Sequence, residues 1–138
     1  MKKKFSNKWK ASKQPRKQRK YRHNAPLHIK GKFLNCHLTK DLAKKHGIKR
    51  TRVKEGDKVK VMRGRFKGKE GKIEFIDIKK SKVLITGIEV SKKEGSKSKP
   101  PIHVSNLLLV EISVDDKKRL KKKAKASVKA DKKEKVNK

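Results

Sequence analysis

The uneven distribution of charge along this chain restricts a folded core to its middle. The 138 residues include 46 Lys and Arg but only 13 Asp and Glu, a formal net charge of +33. Residues 1–54 carry 20 basic and 1 acidic residue, and residues 113–138 carry 12 and 4, whereas residues 55–112 carry 14 and 8. Because self-repulsion on this scale opposes compaction, we expect an anionic macromolecule to be part of the working state.

The composition predicts one small domain with tails. With 31% hydrophobic and 43% charged residues, the chain can bury only a modest core. The charge pattern divides it into a basic N-terminal extension, a short helix with its linker, a small β-barrel, and a basic C-terminal helix or tail. These four parts correspond to residues 1–37, 38–54, 55–112 and 113–138.

Two apolar runs with a period of two predict a β-hairpin. Val59 and Val61 alternate with lysines, and Ile73 and Phe75 alternate with Lys72 and a glutamate. This is the pattern of half-buried antiparallel strands, so residues 63–71 form the connection between them.

The alternation changes phase between Phe75 and Ile76, which predicts a bulge or a sharp bend. Further strands are expected at residues 82–88 and 107–112, separated by the polar, mobile loop at residues 91–101. Short strands at this spacing favour a mainly β fold, a small antiparallel barrel.

Start and stop signals predict one short helix before the barrel. Thr39 suits an N-cap, Asp41 lies in the first turn where the helix dipole favours negative charge, and Gly47 suits the end. Ile48 is placed for the apolar contact that accompanies a glycine cap.

The hairpin connection combines glycine with positive charge. Gly64, Gly68 and Gly71 allow positive φ and remove side-chain bulk, so backbone N–H groups could approach a phosphate closely. A plain turn with solvated lysines is the alternative. The loop does not contain a P-loop motif, since no Ser or Thr follows a Gly-Lys pair. The basic side chains of this loop are Arg63, Arg65, Lys67, Lys69 and Lys72.

A second concentration of charge lies in residues 12–23, where Pro15 is expected to discourage a helix. Its cations can each meet a phosphate: Lys13, Arg16, Lys17, Arg19, Lys20 and Arg22. Trp9 and Tyr21 are interleaved with these cations and could stack on unpaired bases, which favours RNA. Docking onto the protein's own surface is an equal alternative for Trp9. Because residues 1–30 are strongly basic and show no periodic pattern of apolar residues, they are expected to be disordered until RNA binds.

Several function classes have no support. The carboxylates of the middle segment are scattered among lysines, so we expect no enzyme, no cofactor and no small-molecule substrate. Cys36 stands alone, and its neighbouring histidines match no zinc spacing, so a small buried thiol is expected rather than a metal ligand. No run of apolar residues is long enough for a membrane span or signal peptide, which predicts a cytoplasmic protein.

The motifs in this sequence resemble those of a known family. The run VKEGDKVKVMRGRFKGKEGKI, residues 53–73, resembles the KOW motif. Together with NAPLH (24–28), LTKDLAKKHGI (38–48) and PIHVSN (101–106), it is similar to large-subunit ribosomal protein 24 of the archaeal and eukaryotic type, numbered 26 in eukaryotes. The KGKEGK sequence of the loop resembles that of the archaeal members of the family.

This resemblance implies an SH3-like barrel and a ribosomal role. It implies binding of large-subunit rRNA near its 5′ end, early in assembly and near the exit of the peptide tunnel, beside other ribosomal proteins and possible tunnel-exit factors. Loop residues 63–72 would contact rRNA, residues 12–28 would thread between rRNA helices, and residues 102–106 would enter the last strand. The remaining family positions in the RNA-binding set are Asn24, His28, His103 and Asn106. The alternatives are a KOW-type transcription or RNA-chaperone factor outside the ribosome, and a cationic membrane-active polypeptide.

Overall fold

Short strands with alternating burial build most of the molecule. The computed structural model describes residues 5–9, 11–113 and 117–120. In these residues the strands are β1 Asn35–Leu38, β2 Arg50–Arg52, β3 Lys58–Val61, β4 Glu70–Asp77, β5 Lys82–Ile85, β6 Val90–Ser91, β7 Lys97–Ser98, β8 Ile102–His103 and β9 Leu107–Glu111. The helices are α1 Pro15–Asn24, α2 Leu27–Lys30, α3 Lys40–His46 and α4 Lys117–Leu120, with 3-10 turns at Asn7–Trp9, Gly31–Leu34 and Val104–Asn106.

Seven strands form one strongly bent sheet in the order β2-β1-β9-β3-β4-β5-β8, and β6 and β7 form a separate hairpin. Neighbouring strands of the seven-stranded sheet are antiparallel, except that β1 and β9 are parallel to each other. The first half of β4 pairs with β3 and the second half with β5, so this long strand joins the two parts of the sheet. The predicted mainly β fold class is therefore confirmed.

One apolar cluster fills the barrel. The strands contribute alternate residues to it, and Leu34, Val59, Val104 and Leu109 are completely buried. Phe66, Leu42 and Leu120 pack against its edge. None of the helices in the described part of the chain is long and apolar enough to cross a membrane.

The predicted bend in β4 occurs slightly earlier than the sequence pattern indicated. The pairing of β4 with β5 shifts between Ile73 and Phe75, so the phase changes before Phe75 rather than after it. Ile73 faces the core, whereas Phe75 is 54% exposed. The prediction that both side chains share the buried face is wrong, because the extra residue of a bulge reverses the facing of every residue that follows.

Gly71 marks the place where β4 crosses closest to its neighbour. A Cβ at this position would collide with the carbonyl oxygen of Thr86. Its φ is not in the left-handed region, so the predicted use of positive φ is wrong here. Gly71 is required for close backbone packing.

The segment after β5 differs from its prediction in two ways. β5 ends at Ile85 rather than at residue 88, and Gly87, with φ of 80°, turns the chain so that Ile88 also reaches the core. The expected loop at residues 91–101 contains a short hairpin, β6 and β7, with Gly95 at its turn. A left-handed glycine suits such tight turns.

Two strands come from the part that the sequence assigned to the extension and linker. β1 pairs with both β2 and β9, so residues 35–52 contribute to the barrel sheet. Between them α3 follows its prediction, with Gly47 in the left-handed conformation (φ 62°) and Ile48 buried. Thr39 precedes the helix but makes no side-chain capping bond.

The basic arm is helical, not extended as predicted. α1 runs through Pro15–Asn24, and Pro15 occupies its beginning. A proline in the interior of a helix breaks it. A proline in the first turn removes no intrahelical hydrogen bond and already has the φ that the helix requires. Whether residues 1–30 are ordered without RNA stays a prediction.

Candidate nucleic-acid interface

The loop between β3 and β4 is a closed hairpin. Its base is held by the Val61 N–H donating to Lys69 O (2.9 Å) and the Gly68 N–H donating to Val61 O (2.8 Å). Gly64 and Gly68 have φ of 91° and 88°, as predicted for them. A substituted residue at either position would be strained by its backbone conformation.

Three of the turn's own amides are already used. The Lys67 N–H donates to Gly64 O (3.0 Å) and the Lys69 N–H donates to Phe66 O (3.1 Å), in addition to the Gly68 bond. A phosphate therefore cannot be held by these three backbone N–H groups while the turn keeps its shape. Among the described residues, the N–H groups at positions 63–66 have no such backbone partner, so the predicted approach of a phosphate to the loop backbone stays a prediction for them.

Phe66 organises those side chains, and the sequence argument did not select it. Its ring packs against the edge of the core. The guanidinium carbon of Arg65 lies 5.9 Å from the ring centroid, and Lys69 Nζ lies 5.7 Å from it. These are cation–π distances, so the ring holds two cations at the surface. An aromatic residue between basic residues at a loop tip is the signal that could have found it.

The loop keeps its positive charge, whereas several lysines elsewhere on the barrel are paired. Lys58 contacts Glu111 (3.1 Å), Lys60 contacts Glu70 (3.2 Å) and Lys99 contacts Glu74 (2.6 Å). Among the described residues, no such carboxylate pairs with the loop cations. The exposed and unpaired cations are Arg63, Arg65, Lys67, Lys69 and, on β4, Lys72.

The loop is joined to the segment that leads into the last strand. The Met62 N–H donates to Asn106 O (2.7 Å), and β3 pairs with β9 directly after this contact. Residues 102–106 enter β9 through β8 and a 3-10 turn, in agreement with the expectation from the resemblance. Asn106 is therefore adjacent to the loop, with its carbonyl engaged.

His103 is held in place by its own turn. The Ser105 N–H donates to His103 Nδ1 (3.3 Å), and the Ser105 hydroxyl is 2.9 Å from the same nitrogen. Partial burial, reinforced by the charges of Arg22 and Lys82, lowers the pKa of His103. The ring is therefore neutral at neutral pH, with its proton on Nε2 when Nδ1 accepts.

Helix α1 presents its cations outward and docks through aromatic contacts. It has no buried residue, and the predicted phosphate-contacting side chains on it, like Lys13 just before it, are exposed. The Tyr21 ring lies 5.0 Å from Phe5 and 6.3 Å from Phe33, centroid to centroid. Tyr21 thus fixes the helix to the body, while base stacking by it stays a prediction. The side chain of Trp9 lies outside the described part of the chain.

Asn24 and His28 lie at the junction after α1. His23 Nδ1 donates to Asn24 Oδ1 (3.0 Å), and Asn24 is the last residue of the helix. His28 is exposed on α2. Their predicted RNA contacts remain predictions.

Cys36 has the properties of a structural thiol. It is 1% exposed, and its Sγ donates to Leu107 O (2.9 Å). Burial raises the pKa of Cys36 to about 12. In the residues that the structure describes, no group of His, Cys, Asp or Glu is arranged to hold a metal ion.

Fold and surface together define a class: a small cationic β-barrel protein whose exposed positive charge is concentrated on a hairpin loop and an outer helix. Residues 12–125 match the model of the family that comprises the eukaryotic ribosomal proteins L26 and their archaeal counterparts of the L24 type. The chain belongs to this family, which is a family of ribosomal proteins and not of enzymes.

Named relatives agree with this assignment. The large ribosomal subunit protein uL24 of Methanocella arvoryzae is 47% identical over 109 residues, covering 79% of this chain and 88% of the relative. The proteins of the same name from Methanosphaera stadtmanae and Methanocorpusculum labreanum are 46% and 44% identical, covering 78% and 77% of this chain and 92% and 88% of the relatives. These relatives are archaeal, as the KGKEGK sequence of the loop predicted.

Proposed function

We propose that this protein is a structural constituent of the large ribosomal subunit that binds rRNA by charge neutralisation and shape. The observation that carries the proposal is the ordered set of loop cations, which are exposed and have no carboxylate partner among the described residues. A family of ribosomal proteins makes large-subunit rRNA the polyanion that neutralises them. Phosphate contacts of this kind position a protein on RNA without reading its sequence.

The hairpin loop and α1 are the two parts of the proposed interface. The loop supplies cations fixed by Phe66, and α1 supplies a row of exposed cations on a helix that docks through Tyr21. Segment 102–106 connects the two, since Asn106 contacts the loop and His103 lies near Arg22. Neighbouring ribosomal proteins are the further partners of such a protein, and the cytoplasm is its compartment.

The place of binding is part of the same proposal. The protein binds rRNA early in assembly and near the tunnel exit, where tunnel-exit factors would also meet it; the family resemblance supports this placement. Crosslinking in cell lysate tests this, with a photoreactive residue at exposed position 65 and, as a control, at exposed position 93 on the β6–β7 hairpin. The crosslinked RNA is sequenced and its sedimentation fraction recorded.

We expect position 65 to crosslink to large-subunit rRNA in the heavy fractions, more strongly than position 93. Crosslinks mainly to nascent transcripts in light fractions would contradict the proposal and favour a KOW-type factor acting outside the ribosome. Crosslinks of equal yield at both positions would contradict the specific role of the loop.

A further inference from the structure

A cavity of about 310 Å³ lies where α1 meets the barrel. It is formed by the end of α1, the segment that follows α2, the turn between β4 and β5, and the turn after β8. Its lining consists of Arg22, His23, Lys30, Phe33, Lys79, Lys80, Ser81, His103 and Ser105. Four separate segments therefore converge on one space, and no functional role assigned above uses it as a unit.

The lining is cationic throughout. Arg22, Lys30, Lys79 and Lys80 bring positive charge from three segments, and no Asp or Glu of the described residues lines the cavity. Five of the described carboxylates pair elsewhere, four with lysines and one with Arg119. Asp77 is the nearest acidic residue in sequence, and its Oδ1 accepts the Lys80 N–H (3.0 Å) within the turn. Like charges that converge without a carboxylate are stabilised by a bound anion.

The polar groups suit a phosphate oxygen. Arg22 offers a planar fork, with its guanidinium carbon 5.6 Å from the Phe33 ring centroid. His103 accepts the Ser105 N–H at Nδ1, which leaves Nε2–H as a donor. The turn that carries Lys79 and Lys80 includes Ser81, the one non-glycine residue with positive φ (55°) among those described.

We propose that this cavity binds a backbone phosphate of RNA and thereby fastens α1 to the barrel. The inference rests on the proposed function, because the same chemistry would also take the phosphate of a free nucleotide. RNA is favoured because Arg22 continues the row of exposed cations on α1, so one strand can contact helix and cavity together. At about 310 Å³ the space is at the lower end of ligand pockets, about 300 to 1,000 Å³, and a nucleotide unit fits.

His103 provides a direct readout. Its imidazole signals are followed by NMR from pH 5 to 8 in the full chain, in inorganic phosphate and in chloride of equal ionic strength. A bound phosphate counteracts the charges of Arg22 and Lys82, so the titration midpoint of His103 should move to higher pH in phosphate. The exposed His37 does not line the cavity and serves as the internal control. No difference between phosphate and chloride at His103 would overturn the proposal.

A second experiment separates RNA from free phosphate. The double variant Lys79→Ser with Lys80→Ser is compared with Lys92→Ser plus Lys93→Ser, which removes the same charge from the exposed β6–β7 hairpin. Binding to a transcript of the 5′ region of large-subunit rRNA is measured at several salt concentrations. We expect the cavity variant to bind about tenfold more weakly and to lower the salt slope by roughly 1 to 2. The control should change affinity less than about threefold.

The outcomes distinguish this inference from the proposed function. If His103 responds to phosphate but the two double variants bind RNA equally, the cavity takes a free phosphate ligand and the RNA assignment is wrong. If the unmodified chain does not bind the transcript at all, the proposed function fails, and with it the RNA part of the inference. The phosphate titration of His103 still decides then whether the cavity is an anion site.

Discussion

At the scale of single residues, Asp57 joins several segments of the fold. Its Oδ2 accepts the Lys54 N–H (2.8 Å) in the turn before β3. It also accepts the Ser113 N–H at Oδ1 (3.0 Å) and two bonds from Arg119, each 2.9 Å. One carboxylate thus holds together the start of β3, the end of β9 and the segment of α4.

We predict that Asp57→Asn destabilises the protein strongly. Both side chains of the pair are buried, 0% and 5% exposed, so the change removes one charge from a buried ion pair. Loss of one partner of a buried pair costs about 3 to 5 kcal/mol. Denaturant unfolding measures this loss in the free energy of unfolding, with Glu111→Gln as the control. That residue belongs to an exposed pair with Lys58, worth at most about 1 kcal/mol. Similar losses for both variants would contradict the prediction.

Cys36 gives a second prediction at this scale. Its pKa of about 12 leaves roughly one thiolate in ten thousand molecules at pH 8, and its Sγ is buried. Iodoacetamide should therefore fail to label the folded protein at pH 8 over hours, but label it rapidly in denaturant, as mass spectrometry would detect. The unfolded chain releases this proton near pH 9.0, so stability should fall as the pH rises above that value. Labelling of the folded protein at the rate of a free thiol would exclude this description.

At the scale of elements, α1 is the part whose order depends least on the core. It buries no side chain, and Tyr21 and Phe33 supply its aromatic contact with the body. We predict that its amides exchange rapidly in the free protein and are protected when rRNA is added, since RNA would neutralise its cations. Slow exchange of residues 13–22 without RNA would refute this prediction.

The docking of α1 can be tested separately from its charge. Tyr21→Ala removes the ring that contacts Phe5 and Phe33, interactions worth about 0.5 to 1.5 kcal/mol beyond area burial. In the RNA complex this variant should raise exchange in α1 by up to about tenfold. The control Lys93→Ala removes an exposed charge from the β6–β7 hairpin, outside the proposed interface, and should leave exchange in α1 unchanged. Equal effects of the two variants would mean that the ring does not position the helix.

At the scale of the whole molecule, the sequence predicted the parts of the fold that follow from local pattern. The sequence predicted the β3–β4 hairpin, α3 with its terminal glycine, and the single core. In these parts the apolar periodicity, the helix-capping residues and the observed burial indicate the same elements. The strands β1 and β2 were missed, since each has only four or three residues and lies in strongly basic surroundings. Their pairing is set by contacts distant in sequence, such as His37 with Leu108, which no local pattern contains.

The candidate site divides in the same way. Its cations were predictable because charge clustering is visible in sequence, whereas their arrangement was not. Phe66 gains its role from packing against the core, and three amides of the loop are occupied by turns that only the fold defines. The cavity beside His103 joins four segments, so neither its lining nor its charge could be read along the chain.

A last prediction concerns how the molecule distributes its binding energy. If net charge alone decided affinity, removing two charges anywhere would have the same effect. Arg65 and Lys67 belong to an ordered hairpin, with Arg65 held against Phe66, whereas Lys132 and Lys133 lie outside the described residues. Ordered cations lose less conformational entropy on binding. We therefore expect Arg65→Ser with Lys67→Ser to weaken rRNA binding about tenfold and to reduce the salt slope by about 1 to 2.

The matched control is Lys132→Ser with Lys133→Ser, which removes the same two charges from the C-terminal tail. It should weaken binding less than about threefold if affinity depends on the geometry of the hairpin rather than on net charge alone. Filter binding of the full chain across a range of salt concentrations measures both variants. Equal losses would mean that the protein acts on rRNA as a diffuse polycation, and that the geometry of the hairpin adds nothing to affinity. A larger loss for the loop variant would establish that the barrel positions charge for binding.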